Sequence, residues 1–475
     1  MSTQTKKKDF TSGPMFSKII LFTLPVLATG ILQLLFNTAD TFVVGNWGGD
    51  TPEAREAALA AVGSCGALTN LIVGLFMGLA VGAGVCVAHG IGAKDDRAVS
   101  KTVHTSVIVS VICGAVVTVA GILLAKPLLG LMNTPEAVLD EAVPYMRAYF
   151  CGMIANMLYN YCAAILRSSG KTVAPLLFLS IAGVVNVGLN LVMVLVFHKG
   201  AMGVGVATAA SHWVSCILVI LYMMRLNDSC KLELRKLRVS WPQLKKMIMI
   251  GLPAGIQGIL FSISNVIIQS SINWFDSPTI VAGNTAASNV DSYVYTAQNA
   301  LYHTALTFVG QNIGAKKYDR VKKAILYSLI CVVVVGVVLG MLVFLFGEQL
   351  LGIFTDSSEI IDAGMKRLAI MGTLYFLCGT MEVGSGVLRG LGKSVTSMVI
   401  SLIGACVLRL AYIYTIFEMF RTTTVLYLSY PISWILTTAV LFLFAFIELN
   451  RLKRHDRYVM QYFQARQQKE AAEQE

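Results

Sequence analysis

Apolar residues run in long blocks along the whole chain, separated by short polar or basic stretches. A bilayer core asks for ~20 apolar residues per helix. Twelve blocks meet that length: 16–46, 58–90, 100–126, 137–165, 172–197, 201–225, 243–275, 279–314, 322–347, 358–388, 394–419 and 422–449. They are too long for membrane strands, which alternate over ~10 residues. The pattern predicts an all-α membrane protein with twelve transmembrane helices. The run from Phe16 follows Lys6, Lys7 and Lys8, as in a signal peptide, but it is too long and no A-x-A site follows, so it reads as the first span.

One block is patterned differently. Within 279–314, Asn284, Ser288, Asp291, Tyr295, Gln298 and Tyr302 follow one another in steps of four and three. That spacing puts all six on one helix face. A polar face of this length does not meet lipid, so it lines a wet cavity or packs on a partner helix.

Composition narrows the class. Of 475 residues, 56% are hydrophobic and 13% charged, and the mean hydropathy is +0.70. These values exclude a soluble globular enzyme. The net charge is +11, and its placement matters more than its size. With the N-terminus inside, 29 of the 37 Lys and Arg fall at the two ends and on alternate loops, counted on the sequence. Arg55, Lys126, Lys199 and Arg421 fall on the opposite loops, and Arg147, Lys366, Arg367 and Arg409 fall within spans. This asymmetry predicts two cytoplasmic termini. The positive balance then serves topology and contact with anionic lipids, not nucleic acid. The ten cysteines form no C-x-x-C pair, so they read as packing residues and not as metal or redox ligands. No nucleotide-binding, nucleophile-elbow or H-E-x-x-H motif occurs, and the scattered histidines lack metal spacing. No enzyme activity, cofactor or metal is expected.

The chain repeats itself. Ile91-Gly92-Ala93-Lys94 recurs as Ile313-Gly314-Ala315-Lys316, Leu129-Gly130 as Leu351-Gly352, and Asp140 as Asp362. Leu166-Arg167-Ser168-Ser169-Gly170-Lys171-Thr172 recurs as Leu388-Arg389-Gly390-Leu391-Gly392-Lys393-Ser394. All four share an offset of 222. Leu24-Pro25 and Asn37 match Leu252-Pro253 and Asn265 at an offset of 228, a longer first outer loop absorbing the difference. Six spans per half make a parallel repeat, two lobes related by a pseudo-two-fold axis along the membrane normal. The expected organisation is 1–15 N-terminal segment, 16–225 first lobe, 226–242 a basic linker read as a tether, 243–450 second lobe and 451–475 tail.

Three groups of residues carry a likeness to a known family. The first span contains a proline and ends in Asn37-Thr38-Ala39-Asp40-Thr41-Phe42-Val43-Val44-Gly45. The inner loops read L-R-x-x-G-K-[TS], and the second half carries Thr307-Phe308-Val309-Gly310-Gln311-Asn312-Ile313-Gly314-Ala315. Over roughly 16–450 the chain resembles the multidrug and toxic compound extrusion (MATE) family of cation-coupled antiporters. The resemblance implies export of cationic, lipophilic compounds in exchange for protons or sodium ions, from the cell membrane of a bacterial-type cell.

Embedded acids are costly and usually mark function. Asp40 matches the family's first-helix aspartate, and the resemblance makes it the cation or proton site; it could also serve only to bond neighbouring helices. Asn186 and Asn190 share a face at i, i+4. One branch of the family has Asp at the second position, so Asn190 removes an ionisable group. Thr208 matches a family hydroxyl near the same pocket. For these three, interhelical bonding is the competing role. The glutamate of the sodium-linked branch is absent from the seventh span, which offers Gln257, Ser262, Ser264, Asn265 and Gln269. Asn37 and Asn265, the polar stripe and Glu382 are the candidate substrate-cavity residues. Glu382 could instead pair with Arg409. Pro25 is a candidate bend in the first helix. Asp40, Asp291 and Glu382 outweigh Arg409 among the deeper charges, which favours a cationic cargo. A lipid-linked precursor flippase on the same scaffold, and a membrane scaffold or receptor without transport, are the rivals. A monomer is expected.

Overall fold

The computed structural model describes residues 10–131 and 134–472. Lys6, Lys7 and Lys8 lie outside the described residues, as do the side chains of Arg466 and Lys469. Twelve helical spans follow the apolar blocks. The first lobe holds α1 (Met15–Trp47), α2 (Pro52–Gly92), α3 (Asp96–Leu131), α4 (Glu136–Phe150 continued as Met153–Ser168), α5 (Val173–Leu191 and a wide turn Val192–Val196) and α6 (Gly200–Met224). The second holds α7 (Trp241–Asn273), α8 (Pro278–Gly314), α9 (Tyr318–Leu345), α10 (Ser358–Leu374 and Phe376–Gly390), α11 (from Ser394 to Phe420) and α12 (Thr423–Ala472). Among the described residues nine are single helices long and apolar enough to cross a bilayer, and α4 and α10 become spans when their two legs are joined. The twelfth, α8, is continuous over 37 residues and owes its lower hydropathy to the polar stripe.

The repeat is visible in local geometry. α4 and α10 each bend by 48°. Lys94 and Lys316 both take φ +56°, and Gly170 and Gly392 take +83° and +80°. All are pairs at the 222 offset. Gly170 N and Gly392 N bond back to Arg167 O and Arg389 O at 2.8 and 2.9 Å. Lys171 N and Lys393 N reach Leu166 O and Leu388 O, both at 2.8 Å. These left-handed glycine closures stop the helices one turn after each arginine. Helix starts are likewise paired: Thr51 and Ser277 accept from Ala54 N and Ile280 N, each followed by proline.

The lobes exchange their leading turns. Ile19 and Phe22 of α1 pack in the second lobe's core, while Met247 and Ile250 of α7 pack in the first lobe's. A Cβ on Gly78 would lie 2.2 Å from Gly255 N, and one on Gly82 2.3 Å from Met247 O, so α2 and α7 touch backbone to backbone. The equivalent contact between α1 and α8 is a hydrogen bond, Thr23 Oγ1 to Thr304 Oγ1 at 2.8 Å. At the end that carries the Lys94 and Lys316 loops, α2 and α8 cross: a Cβ on Gly92 would lie 1.9 Å from Gln311 O, and one on Gly314 2.1 Å from His89 O. Two bonds span the lobes there, His89 Nε2 to Gly390 O at 2.7 Å and Gln311 Nε2 to Ser168 O at 2.8 Å.

One expectation changes, and the tail gains a structure. The linker is more than a tether: Cys230 and Leu232 are buried in the first lobe's core, Asp228 pairs with Lys171, and Ser240 N donates to Thr105 Oγ1 at 3.0 Å. The tail continues α12 as one helix to Ala472, because no proline or glycine interrupts 451–472.

Candidate functional site

Three embedded polar regions emerge. The first lies inside the first lobe. Asn190 Nδ2 donates to Asp40 Oδ1 at 2.5 Å, and Thr208 Oγ1 to Asp40 Oδ2 at 3.3 Å. Asn186 links the donors: its Nδ2 reaches Thr208 Oγ1 and its Oδ1 accepts from Asn190 Nδ2, both at 3.3 Å. Four residues singled out in sequence on α1, α5 and α6 therefore form one network. Among the described residues it holds a single carboxylate and no basic partner, so a bound cation or a proton is what would neutralise it. Pro25 sits inside α1, which passes through it as one unbroken helix; Thr29 Oγ1 bonds to Pro25 O at 2.7 Å. Asn37 is exposed on α1 and lines neither cavity described below.

The second region is a cavity of about 460 Å³ within the second lobe, walled by α7, α8, α10, α11 and α12. Asn265, Asn284, Ser288, Asp291, Tyr295 and Glu382 line it. The polar stripe thus reaches a cavity, with a correction at Asp291. Its Oδ2 accepts from Arg367 Nε at 3.1 Å, and both side chains are buried. Arg367 also donates to Asn284 Oδ1 at 2.5 Å. Asp291 therefore presents no uncompensated charge to a cargo. Gln298 leaves the stripe for another reason: its Nε2 donates to Tyr375 O at 3.0 Å, knitting α8 to the bend of α10. The Glu382–Arg409 alternative also fails. Among the described residues no ion pair joins them; Arg409 bonds Ser433 Oγ at 3.0 Å and lies over the Tyr430 ring at 4.3 Å.

The third region is a cavity of about 270 Å³ between the lobes, walled by α2, α4, α7, α8 and α10. It adjoins the second through Gly258, Phe261, Tyr295 and Glu382, which line both. Tyr302 lines it, and so do Arg167 and Arg389. Sequence reasoning placed these two arginines on loops. The glycine closures instead put them in the last turns of α4 and α10, facing inward. Their shared offset was the signal that could have found them. The balance of embedded charge shifts accordingly: Asp291 is cancelled by Arg367, and two arginines are added. Among the described residues no cluster of three or more His, Cys, Asp or Glu could hold a metal ion.

Comparison with known proteins places this architecture. The MatE family profile matches residues 25–192 and 253–415, one segment in each lobe. The chain is 28% identical over 405 residues to "Probable multidrug resistance protein YoeA" of Bacillus subtilis, covering 84% of this chain and 86% of that one. It is 23% identical over 401 residues to the "FAD transporter" of Shewanella oneidensis, covering 82% and 86%. Its fold is shared with a multidrug resistance MATE family transporter solved in an outward-facing conformation, at a TM-score of 0.87 and 22% identity over 95% of this chain and all of that one. A MOP superfamily transporter from Pyrococcus furiosus gives the same TM-score, identity and coverage. The twelve-helix, two-lobe chain therefore belongs to the MatE family and is a multi-pass membrane transporter, not an enzyme.

Proposed function

We propose that the protein is a secondary antiporter that exports amphipathic organic compounds from the cytoplasm of a bacterial cell, driven by inward protons or sodium ions. The observation that carries this reading is the Asp40 network: one embedded carboxylate met, among the described residues, by the neutral donors Asn190 and Thr208, which Asn186 links. An ion bound there biases the lobe arrangement that binds it better, and cargo in the central cavity biases the other; that difference couples the two flows. The basic end, where the bonds His89–Gly390 and Gln311–Ser168 join the lobes, faces the cytoplasm together with both termini. Relatives bearing multidrug-resistance names support an organic cargo. No cofactor takes part.

The test is dye export from proteoliposomes under a proton gradient or a sodium gradient, imposed separately, with ethidium, rhodamine 6G and fluorescein as cargo. The parent exports at least one dye under one gradient. Asp40→Asn inserts and folds but loses gradient-driven export. Full export by Asp40→Asn under either gradient removes this mechanism.

A further inference from the structure

Buried arginines in a membrane need a counter-charge, because an unpaired ion in a low-dielectric interior is costly. Arg367 has one in Asp291. Arg389, which is buried, and Arg167, which is half-buried, have none: among the described residues neither forms an ion pair, and Arg167 makes no side-chain hydrogen bond. Arg389 is held in place by neutral groups. Its two terminal nitrogens donate to Tyr302 Oη at 2.5 Å and Gln257 Oε1 at 2.8 Å. Its Nε is buried without a partner. Among the described residues Glu382 is the one acid lining the same cavity, so it leaves at least one arginine uncompensated.

The two arginines are also equivalents under the repeat. Each sits one turn before its closing glycine, on α4 and α10, so they approach the interlobe cavity from opposite lobes. The rest of the lining is mixed: Met77, Val81, Phe261 and Leu306 are apolar, whereas Asn160 and Asn299 are polar. Such a site accepts a body with an apolar surface and a group that takes hydrogen bonds from two guanidinium forks.

We propose that Arg167 and Arg389 form a two-armed site for the anionic group, a carboxylate or phosphate, of an amphipathic molecule lodged between the lobes. This rests on the transporter reading for the fate of that molecule, and it reverses the charge expected of the cargo. Because one guanidinium comes from each lobe, the anion bridges them; rocking the lobes apart separates its two anchors and lets it go.

The test is equilibrium binding, which is independent of coupling. The full-length protein is placed in phosphatidylcholine nanodiscs and titrated by fluorescence anisotropy with fluorescein and rhodamine 6G, anionic and cationic dyes on one ring system. Fluorescein binds the parent more tightly than rhodamine 6G. Arg167→Gln weakens fluorescein by about ten- to a hundredfold and leaves rhodamine 6G unchanged, as expected for loss of a charge-assisted bond. Arg167 is the primary variant because it supports no neighbour. Arg389→Lys, which keeps charge but not the fork, weakens fluorescein while retaining the parent's melting temperature. A second set of discs containing phosphatidylglycerol separates a soluble anion from a lipid headgroup: fluorescein displaced there, in an Arg167-dependent way, assigns the same site to the lipid phosphate. Fluorescein affinity in Arg167→Gln within about twofold of the parent overturns the proposal. So does a parent that binds rhodamine 6G and not fluorescein. Loss of export with binding intact would count against the antiporter reading alone.

Discussion

Removing the carboxylate of Asp291 is expected to damage the fold and not cargo binding. In Asp291→Asn the side chain keeps its shape, and α8 keeps its packing, but Arg367 loses its counter-charge. What remains around the guanidinium is the Asn284 carbonyl at 2.5 Å and the rings of Tyr427 and Tyr430, each 5.9 Å from its centre. Breaking a buried pair by removing one partner costs roughly 3–5 kcal/mol. The surviving neutral partners put this case near the low end, about 3 kcal/mol. Arg367→Met strands the opposite charge at similar cost. Removing both leaves no ion, only an Asn284 carbonyl short of its donor, at about 1–2 kcal/mol. The cycle should therefore show a coupling of about 4–5 kcal/mol, above the roughly 0.5–3 kcal/mol usual for contacting residues. The measurement is reversible unfolding in mixed micelles for the four proteins, with dye affinity read in parallel. Additivity within about 0.5 kcal/mol would refute the pairing. So would a stable Asp291→Asn that had lost dye affinity, because Asp291 would then be facing cargo.

Two further outcomes follow from close packing. Gly92→Ala and Gly314→Ala each drive a methyl group into a backbone carbonyl of the other lobe; overpacking of this kind costs about 1–3 kcal/mol, so spin labels at Arg97 and Asp319 should report a longer or broader distance, and an unchanged distribution would refute the close crossing. Burial pushes the Cys230 thiol in the linker up to about 12, so at pH 8 it stays protonated and should escape alkylation, as read by peptide mass spectrometry; rapid modification would show that the linker does not pack on the first lobe.

The spans were legible because each apolar block is long and ends in strong punctuation: Thr51-Pro52, Ser277-Pro278, Gly170, Gly392. The stripe on α8 was legible because periodicity reports a face. Which neighbour covers that face is decided by tertiary packing. Asp291 and Arg367 lie 76 residues apart on helices separated by α9, and no local rule pairs them. Gln298 obeyed the same period as Asp291 yet meets the Tyr375 carbonyl at the bend of α10, which also accepts from Gly379 N. Arg167 and Arg389 were hidden by a different confusion. A basic residue just before a Gly-Lys turn looks like part of a loop. Its side chain turns inward because the two lobes meet there, and that contact is not local to either motif. The Asp40 network came through because its members sit at spacings carried by a family likeness and at i, i+4 on one helix.

The paired bonds at the crossing of α2 and α8 have a consequence for the origin of the chain. His89 contacts Gly390 and Gln311 contacts Ser168. Shifting the first pair by the repeat offset gives the second: residue i meets j, and the copy of i meets the copy of j. This is the isologous contact of a two-fold homodimer, preserved inside one polypeptide. Such a contact set has the symmetry that two unlinked copies of one half would form, so the linker is not what defines it. What a single chain permits is divergence between the repeats. A homodimer must carry the same residue at both positions, whereas the single chain holds histidine at one and glutamine at the other, and arranges a lone carboxylate, Asp40, in one lobe and an Asp291–Arg367 pair in the other.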